Sequence, residues 1–125
     1  MHPWNFYING DKINVFDFDD AVYGWFALDI GLALYHGLWW GRMNDAGKDF
    51  TNNIIENFLK GYLSANSISD FWISKIPLFM KFRQICKFTW FYGDDNDHDI
   101  ERIRNIENGV LFTAYNIDMS LFRQK

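Results

Sequence analysis

The sequence is poor in the features that settle a function at a glance. A single cysteine, Cys86, allows no internal disulfide, and no secretory signal opens the chain, so a reducing, cytoplasmic setting is expected. Cys86, His2, His36 and His98 lack the spacing of a zinc site. There are only two prolines, no repeat and no low-complexity stretch or linker, so residues 1–125 are expected to form one domain. Basic residues are outnumbered: the net charge is −4 and the pI about 5.2, which argues against nucleic acid as a partner. The longest apolar run, Trp25 to Gly41, contains Asp29, His36 and three glycines, and is too short and too polar for a membrane span. Neither a Gly-rich phosphate loop nor a Gly-x-Ser-x-Gly elbow is present.

Aromatic residues are plentiful. Thirteen Phe, six Trp and six Tyr make up 20% of the chain, which implies a dense core or an apolar face that expects a partner. The fold class expected is α+β, mainly α, with an N-terminal β-hairpin followed by four or five helices. Residues 5–8 and 13–17 read as strands joined at Asn9-Gly10. Pairing Ile8 with Ile13 also pairs Phe6 with Val15 on one apolar face. Helices are expected over Trp25–Trp40 with Gly41 at its C′ position, over Asp49–Ala65, and from Ser69 or Asp70 to about Tyr92. Phe26, Ile30, Ala33, Leu34 and Leu38 make the buried face of the first of these. Pro77 should kink or divide the third. Gly93 to Asp99 reads as an acidic loop, and Ile100 to Phe122 as a last helix weakened by Gly109.

Asn5 and Asp17 stand at the open end of the hairpin. One is a neutral oxygen donor and the other an anionic one. Strict pleating would point them to opposite faces, so they converge only if the chain leaves regular geometry there. Few oxygen ligands at an open mouth suit a Mg²⁺ ion carrying a nucleotide better than a closed metal cage. Asp19 is a further candidate ligand; Asp20 reads more simply as a loop-capping acid.

The stretch His2-Pro3-Trp4-Asn5-Phe6, then Val15-Phe16-Asp17-Phe18-Asp19-Asp20-Ala21, then Tyr23-Gly24 and Leu28-Asp29-Ile30, resembles the aminoglycoside phosphotransferase and choline kinase family, which shares the protein-kinase-like fold. Ile76-Pro77-Leu78-Phe79 and the aromatic helix after it resemble C-lobe helices of bacterial members. The resemblance implies a C-terminal lobe, with a metal and catalytic-loop hairpin at 1–24 and a helical subdomain at 25–125. It implies that Asn5 and Asp17 hold Mg²⁺ on ATP, that His2 shapes the loop, and that Asp29 is a buried acid bonding that loop. The family's catalytic Asp lies five residues before the Asn, ahead of Met1, as do the nucleotide lobe and its lysine. This chain alone is therefore expected to lack significant kinase activity, the longer parent being the enzyme. The resemblance implies a small-molecule acceptor bearing a hydroxyl, cationic acceptors such as aminoglycosides and choline being among those of the family.

Simpler roles compete at several positions. The acids Asp94, Asp95, Asp97, Asp99 and Glu101 could face a cationic acceptor, though a solvated loop is the ordinary reading. Trp25, Tyr35, Trp39 and Trp40 could box an ammonium group, though rings more often pack a core. His36 reads as a core or edge histidine, His98 as a loop residue, and Cys86 as a small buried hydrophobe. The alternative function is a non-catalytic partner-binding module, or a homo-oligomer closing over an exposed apolar cleft.

Overall fold

A computed structural model describes residues 3–19, 21–93 and 119–122. Among these the chain runs through a 3-10 turn (Pro3–Asn5), strands β1 (Phe6–Asn9) and β2 (Lys12–Val15), and helices α1 (Phe26–Met43), α2 (Lys48–Ala65) and α3 (Asp70–Gly93). A second 3-10 turn covers Met119–Phe122. The mainly helical α+β class holds. His2, Asp20, the acidic stretch Asp94–Asp99 with His98, Glu101, and nearly all of the expected last helix lie outside the described residues.

The hairpin has the expected register, Phe6 with Val15 and Ile8 with Ile13. Its two-residue loop is Gly10-Asp11 rather than Asn9-Gly10, because Asn9 still pairs with Lys12. Gly10 takes φ +59°, the pattern of a II′ turn with glycine at its first central position.

α1 is the central helix, packed against both α2 and α3. Ala27, Ile30, Leu34 and Leu38 recur at three- and four-residue steps and bury one stripe. They meet Ile55 and Leu59 of α2, Ile73, Ile76 and Met80 of α3, and Phe122 in one cluster. Phe26, expected on the buried stripe, is instead exposed at the first residue of α1, and Ala33 is half-buried. All three helices carry an acid in the first turn, Asp29, Asp49 and Asp70, where the helix dipole favours negative charge.

Glycines set the closest approaches. A Cβ on Gly31 would lie 2.7 Å from Phe79 Cβ and 3.3 Å from both Ile76 O and Met80 N, so α3 rests on bare α1 backbone there. Gly41 was expected to stop α1. It lies inside the helix, and the Phe50 ring of α2 occupies the space its side chain would fill. The stop comes four residues later: Asp45 adopts φ +51° and the Ala46 N–H donates to Gly41 O at 2.8 Å, a Schellman closure.

Pro77 does not divide α3. The proline is buried next to Ile76, whose carbonyl lies against Gly31, and this buried packing offsets the missing N–H. His36 is buried between α1 and α3, where its Nε2 accepts a hydrogen bond from Arg83 Nε at 3.4 Å. Cys86 is half-buried and free.

Candidate active site

The hairpin's open end departs from pleated geometry on both sides. Asn5 closes the 3-10 turn, and its carbonyl accepts the Phe16 N–H at 2.9 Å, one step beyond the strand ladder. Asp17 follows in the left-handed region at φ +62°. Few non-glycine residues adopt that conformation; Asp is among the tolerant ones, and such outliers gather at functional sites. The two distortions defeat the alternation that would separate the side chains. Asn5 Nδ2 donates to Asp17 Oδ2 at 3.3 Å and lies 3.4 Å from Asp17 O, across twelve residues of sequence.

The pair opens to solvent: Asp17 is exposed and Asn5 half-buried. Asp19 is exposed on the turn closed by the Ala21 N–H donating to Phe18 O at 2.9 Å. No group of three or more His, Cys, Asp or Glu among the described residues is gathered as a metal cage.

Asp29 requires a correction. It is exposed on the first turn of α1, not buried, because the stripe that enters the core runs through Ala27 and Ile30 on either side of it. The four rings considered as an ammonium box also disperse. Tyr35 is buried with its ring at 85° to His36, Trp25 lies against Trp72 and Phe79, Trp40 meets Trp4, and Trp39 packs on the core. Burial pushes the Tyr35 hydroxyl up to about 12, the nearby Arg83 charge acting in the opposite sense.

The model of the phosphotransferase enzyme family matches residues 1–71, which include the hairpin, α1 and α2. The chain belongs to that family. It is also similar to amicoumacin kinase of Bacillus subtilis (strain 168), with 32% identity over an alignment covering 92% of this chain. The chain spans 37% of that kinase's length. The protein is thus phosphotransferase-like, and the Asn5–Asp17 mouth lies within the part that carries the family match. No helix among the described residues is long and apolar enough to cross a membrane.

Of the candidate residues read from the sequence, the structure brings together the two hairpin-mouth donors, Asn5 and Asp17. What the sequence did not announce is the support beneath them: the 3-10 turn at Pro3–Asn5, the positive φ of Asp17, and the contact of Trp4 with Trp40. Only the tolerance of Asp for left-handed backbone hinted at the second of these.

Proposed function

We propose that this chain supplies the metal-holding part of an ATP-dependent small-molecule phosphotransferase that moves the γ-phosphoryl group onto an acceptor hydroxyl. The observation that carries the reading is the meeting of Asn5 and Asp17 at 3.3 Å, with Asp17 in left-handed backbone, in a chain of this family. Their donor chemistry fits Mg²⁺: both side chains offer hard oxygens, and the exposed mouth leaves room for water and phosphate. When bound, the ion would neutralise and orient the nucleotide phosphates. Asp17 contributes the fixed negative charge. Asn5 offers a neutral amide oxygen, while its N–H group steadies the carboxylate. Asp19 is a further candidate ligand, and His2 and Asp29 are candidate loop-shaping residues.

The similar kinase is named for amicoumacin, which favours an amicoumacin-like hydroxyl acceptor for this protein too. The catalytic Asp and the nucleotide lobe implied by the resemblance are not among these 125 residues. The chain by itself should therefore be inactive, since phosphoryl transfer depends on positioning and charge neutralisation by groups from both lobes.

A second reading is favoured by the exposed apolar face of the hairpin, where Ile8 and Ile13 are 68% and 65% accessible. It is a partner-binding or self-associating module. Sedimentation at increasing concentration separates the two: a monomer throughout would remove the self-associating form.

The catalytic reading is tested with the chain joined to a nucleotide lobe of the kind the resemblance implies, Mg-ATP and a panel of amicoumacin-like, aminoglycoside and aminoalcohol acceptors. Asp17→Ala and Asn5→Ala should each lower transfer on the order of a hundredfold or more. Full activity in either variant would sink it; measurable transfer by the 125-residue chain alone would instead overturn the expectation that this chain is inactive by itself.

A further inference from the structure

Trp4 stands in the 3-10 turn immediately before Asn5, and its ring meets Trp40 edge to face, with centroids 5.3 Å apart and planes at 84°. Trp40 lies near the end of α1, is 42% exposed and stands outside the core cluster. The Trp40 carbonyl accepts Asn44 Nδ2 at 2.9 Å, which ties it to the rigid close of α1.

Among the described elements, the 3-10 turn at the base of the hairpin packs on α1. A two-stranded hairpin is marginal by itself, and this one turns its apolar face to solvent. Edge-to-face rings prefer one relative orientation, so the pair fixes an angle as well as a distance. We infer that Trp40 is a positioning residue for the Asn5–Asp17 pair, holding through Trp4 the turn that presents Asn5 to Asp17. The catalytic consequence rests on the metal-site reading; the geometric claim does not.

Amide exchange by NMR on the 125-residue chain tests it. In Trp40→Ala the Phe16 N–H, bonded to Asn5 O, should exchange roughly three- to tenfold faster, the range set by the strength of one aromatic pair. The Leu34 amide in the core should not change, and Trp40→Phe should restore most of the protection. Unchanged Phe16 exchange overturns the inference, and so does an equal acceleration at Leu34, which would mean general loosening. Titration with Mn²⁺ as the probe supplies the second arm, in which affinity should fall by a similar factor in Trp40→Ala. If the unsubstituted chain binds no Mn²⁺ near Asp17, the metal-site reading fails while the exchange data still decide the role of Trp40.

Discussion

The hairpin and the helical body use the same residue types in opposite ways. Ile55 and Ile76 are wholly buried between helices, whereas Ile8 and Ile13 face solvent on the hairpin. The body closes its core from α1, α2, α3 and Phe122. The hairpin closes nothing of its own, yet it carries the left-handed Asp17 and the Asn5 contact. On the proposed reading, stability and chemistry are separated along the chain: one part is a scaffold, and the other is an open mouth with left-handed backbone held against it.

The widest gap between the regions should appear on truncating their apolar side chains. Leu34→Ala should lower unfolding free energy by about 2–5 kcal/mol, against about 0.5 kcal/mol or less for Ile13→Ala, in urea denaturation. Similar losses at both positions would erase the distinction. Alkaline titration probes the scaffold next. Native Tyr35 keeps its proton up to about pH 12, whereas the unfolded chain releases it near 10.0. The native state binds more protons in that window, so stability is present below it and falls as pH rises through it, by about 2–3 kcal/mol. Tyr35→Phe should lose that part of the pH dependence.

Gly31→Ala should destabilise by about 1–2 kcal/mol, because overpacking against α3 backbone exceeds the gain in helix propensity. A thermal melt at or above that of the parent chain would show that α1 and α3 can separate freely. The smallest effect belongs to the mouth. Asp17→Gly should raise stability by up to about 1 kcal/mol by relieving the left-handed backbone, while removing the carboxylate. A loss of stability there would mean that the conformation carries no strain.

Much of this division was legible beforehand. The register of the hairpin followed from Ile8, Ile13, Phe6 and Val15, and the helix cores from apolar spacing. The misplacements have physical causes. Gly41 looked like a helix stop, but it serves as the seat of Phe50, and the stop moved to Asp45. Pro77 looked like a break, but α3 runs through it with the proline buried beside Ile76. Asp29 looked buried because its sequence neighbours are apolar, whereas helical rotation turns it outward. Within the site, Asn5 and Asp17 were recognisable as donors. Their meeting depends on backbone distortions that residue identity alone leaves open.

The most direct test of the account is paramagnetic broadening of the amide spectrum by substoichiometric Mn²⁺. Signals from Asn5, Phe16, Asp17 and Phe18 should fade first while those of α2 and α3 persist, and Asp17→Ala should abolish the pattern. Broadening centred on other acids such as Asp45 and Asp49, or unchanged by Asp17→Ala, would contradict a metal site at the hairpin mouth.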